Sequence, residues 1–330
     1  MRYVGRLAPS PTGALHLGNV RTFMIAWLRA RSQGGKVIFR MEDLDHPKDK
    51  PGAAAQAIED LRWLGFDWDE EYVQSERKAI YREALESLQA QDLVYPCVCS
   101  RRDVESSQSA PHAGEQLYYP GTCRGRFKTW GEAKNFLGGS SDSRSSRSTR
   151  DSGFPRTPCW RLRVSENTVV SFDDTFAGHY EQDISRTLGD FPLARDEFGA
   201  GYTLACTVDD LLMGVTEVVR GDDLLPATPA QILLAEALLA SSALSTKHQA
   251  PSTPSYCHVP LVVGRDGKRL AKRHGDTRIA TFREQGKAPE DILGSLAVSC
   301  GWAEMGERIA LRDLLPRFDL GTIPRTPFMI

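Results

Sequence analysis

The sequence predicts an α/β fold in which the strands of a parallel sheet alternate with helices. Residues 3–7 form a short apolar run that predicts a strand, and residues 36–41 form a second, nearly continuous one, as in buried parallel strands. Between the two runs, apolar residues recur every three or four positions. This predicts a core-packed helix that begins near Gly18 and ends at Gly34. With a further helix predicted over residues 53–64, the pattern is the βαβ rhythm of a parallel sheet.

The alternation of strands and helices is interrupted after residue 95 and resumes at residue 191, which predicts a catalytic sheet split by an insertion. We assign residues 1–95 to the first half of the catalytic domain, 96–190 to the insertion, 191–250 to the second half and 251–330 to a last, mostly helical part. The second half is predicted to hold strands at 202–208 and 215–219 and a helix at 229–239. Inside the insertion, residues 138–153 are nearly all Gly, Ser, Asp, Thr and Arg, a composition that predicts a disordered surface loop.

Composition limits the function classes without choosing one. The 330 residues carry a formal net charge of -2, so any contact with RNA requires a local basic face. Residues 1–6 lack the apolar core of a secretion signal, and the apolar stretch 232–240 is interrupted by Glu236 and too short to cross a bilayer. We therefore expect a cytoplasmic protein that is not bound to a membrane, and nothing in the sequence demands more than a monomer.

The 7 cysteines, an odd number, favour metal ligands or buried thiols over a disulfide framework.

The first strand and the first helix predict a phosphate-binding site. Pro9, Pro11 and Gly13 force a turn between them, and His16 lies where the helix begins. A turn of this kind directs backbone N–H groups and the positive end of the helix dipole at one place, where a polyphosphate binds in open α/β sheets.

Four motifs in order carry a resemblance to a known family. Residues 6–19, 39–45, 219–223 and 269–273 resemble the glutamyl branch of the class I aminoacyl-tRNA synthetases, and the resemblance covers nearly the whole chain. It implies a Rossmann-like parallel-sheet catalytic domain split by an insertion and followed by a mostly helical domain that contacts an RNA stem. It also implies that L-glutamate attacks the α-phosphorus of ATP, with Mg²⁺ assisting, to give glutamyl-adenylate and pyrophosphate.

The resemblance also implies which residues bind ATP. His16, in the element that corresponds to the HIGH signature, is expected to donate to a phosphate oxygen, and Lys272 is expected to meet the phosphates from the other side as the second catalytic residue. Gly18, Asn19 and Arg269 complete the ATP site. The basic loop departs from the KMSKS pattern because Ala271 and Arg273 replace serines. We therefore expect activity with weaker ordering of this loop.

Glutamate requires partners for two carboxylates and one ammonium. Arg6 and Arg220 are the candidate cations, because the guanidinium fork matches a carboxylate, and Glu42 is the candidate partner of the ammonium. By resemblance, Ala8 and Ser10 line the same pocket and Tyr202 offers its phenol to the substrate. For Tyr202, a core aromatic residue remains an equally weighted interpretation.

The insertion contains a candidate structural zinc site. Cys97, Cys99 and Cys123 supply three thiolates, and zinc prefers four tetrahedral ligands. His112 is the more ordinary fourth ligand, whereas the order Cys, Cys, Tyr, Cys resembles the zinc site of the glutamyl-queuosine tRNA(Asp) synthetases and implies Tyr119. The alternative is a set of buried free cysteines, which is also the expected state of Cys159 and the other three cysteines.

The length of the chain favours one branch of the family. Ordinary glutamyl-tRNA synthetases continue into a helical anticodon-binding region, and this chain stops where that region would begin. It resembles in this respect the glutamyl-queuosine tRNA(Asp) synthetases, which transfer activated glutamate to queuosine in the anticodon of tRNA(Asp). The alternatives are a short conventional synthetase that charges tRNA(Glu) and, from a different class, an inactive zinc-bearing RNA-binding paralogue.

Overall fold

The computed structural model describes residues 2–44, 50–106, 117–138, 156–241, 252–268, 270 and 276–330. Its strands are β1 (Val4–Leu7), β2 (Lys36–Met41), β3 (Glu70–Val73), β4 (Val94–Cys97), β5 (Cys159–Leu162), β6 (Val169–Asp174), β7 (Gly178–Asp183), β8 (Pro192–Ala194), β9 (Glu217–Gly221), β10 (Ser255–Val259), β11 (Val262–Val263) and β12 (Phe328–Met329). Its α-helices are α1 (Leu17–Ser32), α2 (Ala53–Trp63), α3 (Lys78–Ala90), α4 (Arg101–Ser106), α5 (Trp130–Gly138), α6 (Ile184–Thr187), α7 (Tyr202–Leu212), α8 (Thr228–Ala240), α9 (Ile279–Glu284) and α10 (Pro289–Val298). Short 3-10 helices cover Gln74–Arg77, Asp222–Ala227, Leu311–Arg317 and Leu320–Thr322.

A parallel sheet forms the centre of the molecule, as predicted. Strand β2 pairs in parallel with β1 and β3, and β9 pairs in parallel with β10. The two groups meet at Thr216, whose N–H donates to the Val4 carbonyl and whose hydroxyl oxygen accepts from the Val4 N–H, both at 2.9 Å. Strand β10 lies beyond residue 250, so the predicted boundary between the last two parts separates two paired strands.

The first βαβ unit matches the prediction closely. Helix α1 begins at Leu17, and the chain turns away from it at Gly34, whose φ of 61° is in the left-handed region that favours glycine. The buried side of α1 includes Val20, Met24 and Trp27, which pack on the sheet as the periodicity requires. This unit fixes where the turn after β1 points.

One predicted element is wrong in type. Residues 202–208 were predicted as a strand, but they form the first part of helix α7. All residues from Leu204 to Leu211 are buried, including Asp209 and Asp210, so no exposed polar face marks the helical period. The next strand, predicted at 215–219, begins two residues later, because the N–H of Val215 caps α7 by donating to the Asp210 carbonyl at 2.9 Å.

The insertion and the residues that flank it form antiparallel strands and a small separate core. Strand β5 pairs with β4 and β8, and β6 and β7 form a hairpin. The core holds Tyr95, Tyr119 and Leu137, together with two of the cysteines. The hairpin also touches the catalytic sheet, because the N–H of Thr175 donates to the carbonyl of Tyr256 in β10 at 2.8 Å. Of the residues predicted to form a flexible loop, 138–153, only Gly138 lies within the described part of the chain.

The last part of the chain packs against helix α1. Ile292 and Leu296 of α10 and Leu314 of a 3-10 helix share one hydrophobic core with α1 and the sheet. One helical stretch in the described residues, Asp222–Ala240, is long and apolar enough to cross a membrane by length and composition. Helices in the core of a soluble protein can have the same length and apolar composition. Leu234 and Leu238 of this stretch are fully buried in a second hydrophobic core, separate from the one around α1.

Candidate active site

A cavity of about 410 Å³ opens at the carboxyl ends of β1, β2 and β9. In open α/β sheets this edge is where ligands bind. The structure places all six predicted glutamate-binding residues and three predicted ATP-binding residues in its wall: Arg6, Ala8, Ser10, His16, Gly18, Asn19, Glu42, Tyr202 and Arg220. Tyr202 is 39% exposed, so it is not the core aromatic residue of the alternative interpretation.

His16 is the residue that caps helix α1. Its Nδ1 accepts a hydrogen bond from the N–H of Gly18 at 3.2 Å, and the Asn19 Oδ1 accepts from the N–H of His16 at 3.3 Å. Because Nδ1 is an acceptor, the proton of a neutral imidazole is on Nε2. A Cβ at Gly18 would lie 3.1 Å from the His16 ring, so glycine keeps this arrangement open.

The predicted basic loop lies only partly within the described residues. Arg269, Lys272 and Ala271 fall outside them, so their roles remain predictions. The segment after the loop is anchored beside His16: the N–H of Leu17 donates to the Thr277 carbonyl at 3.1 Å, and the N–H of Ile279 donates to the Leu15 carbonyl at 3.0 Å. The chain therefore returns from the loop to the rim of the cavity.

A buried ion network supports the floor of the cavity. Arg40, whose side chain is 0% exposed, donates to Asp210 at 2.7 Å and to Glu42 at 2.9 Å. Burial alone would lower the pKa of Arg40, but the charges of Asp210 and Glu42 raise it well above its ordinary value. Arg6 approaches the same Asp210 carboxylate at 3.3 Å, without the alignment of a hydrogen bond. Glu42 also accepts from the Cys206 thiol at 3.2 Å.

The sequence predictions did not include Arg40 or Asp210. A charged residue inside the apolar run 36–41 was the available signal for Arg40, because an isolated buried charge is costly unless paired. Asp210 had no such signal. It lies two residues beyond the segment 202–208 that was predicted to be a strand, so its place in helix α7 was not predicted.

Arg220 is held by neutral acceptors. Its Nε donates to His258 Nε2 at 2.9 Å, and its Nη2 donates to the Thr228 hydroxyl at 2.7 Å. His258 in turn contacts Asp174, with 2.6 Å between Nδ1 and Oδ2. All of these residues are buried, and the sequence predictions named only Arg220.

The candidate metal centre lies in the core of the insertion. Within the described residues, the three predicted cysteines form a group whose Sγ atoms lie within 4.8 Å of one another. The Tyr119 hydroxyl lies 3.2 Å from the Cys97 Sγ and 3.8 Å from the Cys99 Sγ. Hydrogen bonds from Cys123, Cys159 and Cys99 lower the pKa of the Cys97 thiol. Cys159 therefore lies beside this group and not in a separate apolar setting.

The donor set fits a tetrahedral zinc ion. Thiolates bound at about 2.3 Å to one tetrahedral ion lie about 3.8 Å apart, and the Cys99 and Cys123 sulfur atoms are separated by 3.6 Å. An oxygen ligand at about 2.0 Å would lie about 3.5 Å from each sulfur, close to the distances of the Tyr119 hydroxyl. The alternative ligand, His112, lies outside the described residues.

Comparison with known proteins is consistent with this architecture. A model of the tRNA synthetases class I (E and Q), catalytic domain, matches residues 3–314. The chain belongs to this family. It is similar to the glutamyl-Q tRNA(Asp) synthetase of Symbiobacterium thermophilum, with 42% identity over 99% of this chain and 95% of that protein. The corresponding protein of Rhodopirellula baltica is 43% identical over 99% of this chain and 96% of that protein.

More distant members of the family include glutamate–tRNA ligases. That of Aquifex aeolicus is 37% identical over 98% of this chain and 63% of its own length. The crystal structure of a glutamate tRNA ligase from Elizabethkingia meningosepticum, in complex with its amino acid, superposes with a TM-score of 0.76 and 26% identity. That match covers 100% of this chain and 67% of the other. The α/β catalytic fold of the family is thus present along the chain.

Proposed function

We propose that the chain activates L-glutamate with ATP as glutamyl-adenylate and transfers the glutamyl group to queuosine in the anticodon of tRNA(Asp). The observation that carries the activation step is the single cavity that contains Arg6, Glu42, Arg220 and His16. Two cations, one carboxylate and a helix-capping imidazole are what glutamate and a polyphosphate require. The relatives named glutamyl-Q tRNA(Asp) synthetase match nearly end to end at 42–43% identity, which supports the transfer step.

In the activation step, a glutamate carboxylate oxygen attacks the α-phosphorus of ATP, and the bond to pyrophosphate breaks. Arg6 and Arg220 hold the carboxylates, and Glu42 receives the ammonium. His16 donates its Nε2 proton to a phosphate oxygen as negative charge grows there, and Lys272 compensates charge from the loop. Mg²⁺ accompanies ATP and neutralises phosphate charge.

In the transfer step, a hydroxyl of the queuosine cyclopentenediol attacks the glutamyl carbonyl carbon, and AMP leaves. An anticodon loop offers splayed bases that proteins recognise by stacking and hydrogen bonds. We infer that the last part of the chain, residues 251–330, contacts the RNA stem, and that the insertion binds one structural zinc ion through Cys97, Cys99, Tyr119 and Cys123. We also infer that the protein is a monomer and that it acts in the cytoplasm, where the tRNA substrate is found.

The test uses labelled glutamate with ATP and Mg²⁺, and four RNAs: tRNA(Asp) with queuosine, tRNA(Asp) without it, queuosine-containing tRNA(Asp) lacking the 3′-terminal adenosine, and tRNA(Glu). Label on both queuosine-containing RNAs and on neither other RNA is the expected result. The RNA lacking the terminal adenosine is the matched control, because it keeps the anticodon and removes the ordinary acceptor.

The second candidate is a conventional glutamyl-tRNA synthetase. The similarity to the Aquifex aeolicus glutamate–tRNA ligase favours it, and label on tRNA(Glu) would establish it. The absence of label on every RNA, together with no glutamate-dependent pyrophosphate exchange, would contradict both candidates and favour an inactive RNA-binding paralogue.

A further inference from the structure

The arginines at the active site differ in how their charges are balanced. Arg40 and Arg6 both approach the carboxylate of Asp210. Within the described residues, Arg220 has no carboxylate partner: its acceptors are the His258 ring, the Thr228 hydroxyl and, at 3.5 Å, the Leu224 carbonyl. Its positive charge is therefore not neutralised by a direct ion pair in this part of the protein.

The hydrogen bonds around His258 define its protonation. The Arg220 Nε always carries a proton, so the His258 Nε2 that it contacts must be an acceptor. The proton of the ring is then on Nδ1 and is donated to the Asp174 Oδ2 at 2.6 Å. Burial lowers the pKa of His258, in the direction that keeps this neutral form. A neutral ring orients the guanidinium without cancelling its charge.

Asp174 is itself fixed by the backbone. Its Oδ1 accepts from the N–H groups of Ala177 at 2.7 Å, Phe176 at 3.0 Å and His258 at 3.0 Å. The carboxylate is thus a rigid support at the end of strand β6, and it belongs to the insertion, whereas Arg220 and His258 belong to paired strands of the catalytic sheet. The chain of contacts ends on an arginine that lines the cavity.

We propose that His258, oriented by Asp174, and Thr228 are positioning residues that hold Arg220 charged and correctly directed for a carboxylate of the amino-acid substrate. The Arg220 Nη1 has no acceptor in the part of the chain that the structure describes, and it is the group left for the substrate. A carboxylate in place of His258 would hold the guanidinium equally well but would compete with the substrate for its charge. The inference rests on the proposed binding of glutamate at Arg220.

The test is the glutamate-dependent ATP–pyrophosphate exchange of the full chain, measured with and without tRNA(Asp). His258→Leu removes the acceptor and is expected to raise the KM for glutamate about 10- to 100-fold, as loss of a buried charge-assisted hydrogen bond does. The KM for ATP is expected to stay within about twofold. His258→Gln can again offer an amide oxygen to Arg220 and is expected to recover most of the glutamate KM.

Two further variants separate positioning from folding. Thr228→Val keeps the shape of the side chain, removes the hydroxyl, and is expected to raise the glutamate KM about 3- to 10-fold. Cys257→Ala, a buried neighbour on the opposite face of β10, is the matched control and is expected to leave both KM values unchanged.

The outcomes are distinguishable. No glutamate-dependent exchange by the unmodified protein would overturn the proposed function and this inference together. The unmodified protein could show normal exchange while His258→Leu and Thr228→Val each change the KM for glutamate and the KM for ATP equally. That result would overturn the inference alone. So would a His258→Gln variant no better than His258→Leu. A rise in the glutamate KM that glutamine reverses would support it.

Discussion

The active-site cavity and the cysteine cluster both concentrate ionisable groups in buried surroundings, but they balance charge differently. At the cavity, the protein supplies both signs: Arg40 lies between Asp210 and Glu42. In the cluster, three thiols and a phenol face one another, and the cation that the structure describes beside them is Arg161, 3.8 Å above the Tyr119 ring. The cavity is thus preorganised by its own ion pairs, whereas in the cluster the charge of the ligands would be balanced by the zinc ion proposed above.

The largest expected effect is at Arg220, the cavity arginine that has no carboxylate partner among the described residues. Arg220→Met should lower kcat/KM for glutamate in pyrophosphate exchange by about 100- to 1000-fold, or about 3–4 kcal/mol, because the substrate carboxylate loses its charged partner. Arg220→Lys should recover part of the loss. Arg186→Met, which removes an exposed arginine of the insertion, is the control and should change nothing. A loss smaller than tenfold would remove Arg220 from the glutamate site.

The second prediction concerns a substitution in the cysteine cluster, which leaves the residues of the active-site cavity unchanged. Cys123→Ser should abolish stoichiometric zinc, measured by mass spectrometry of the metal, and lower the melting temperature by roughly 5 °C, since a structural metal contributes directly to folding. A strong chelator should destabilise the unmodified protein and leave the variant unaffected. The control is Cys257→Ser, a buried cysteine of the catalytic sheet. Purified unmodified protein without zinc would contradict the assignment of the metal.

The third prediction unbalances the cavity. Asp210→Asn leaves Arg6 and Arg40 close together without the carboxylate between them, and should lower the free energy of unfolding by about 2 kcal/mol. Zinc content should not change. Urea unfolding measures the effect, with the surface variant Asp313→Asn as control. Unchanged stability would show that the ion network is not what preorganises this site.

The smallest expected effect concerns pH. Burial alone would raise the pKa of Glu217, but hydrogen bonds from Arg29 and Tyr3 and the charge of Arg29 lower it overall. A carboxylate with a lowered pKa stabilises the fold at neutral pH, and this contribution is lost as the pH falls below the ordinary value of 4.5 towards the lower folded pKa. The unfolding free energies of the unmodified protein and of Glu217→Gln should therefore differ most at neutral pH and converge in acid. A difference independent of pH would contradict this.

Local patterns predicted most of the first βαβ unit. The stripe of apolar residues in α1 and the apolar run of β2 are short-range signals, and the turn between β1 and α1 follows from its prolines and glycine. Helix α7 was predicted as a strand because burial on all sides removes the periodicity from its sequence. The same burial concealed Asp210, which has a role only because Arg6 and Arg40 reach it from two other strands.

The sequence by itself determined the α/β class and the order of the motifs, because both are expressed in residue types at short spacing. The residues that meet at the cavity were predicted from the family resemblance that those motifs carry. Only the tertiary structure decided how those residues are supported. His258 and Asp174 are 84 positions apart, and Arg220 approaches His258 from the neighbouring strand, 38 positions away. Hydrogen bonds between distant segments have no local signature, because they depend on where the packed sheet places each backbone.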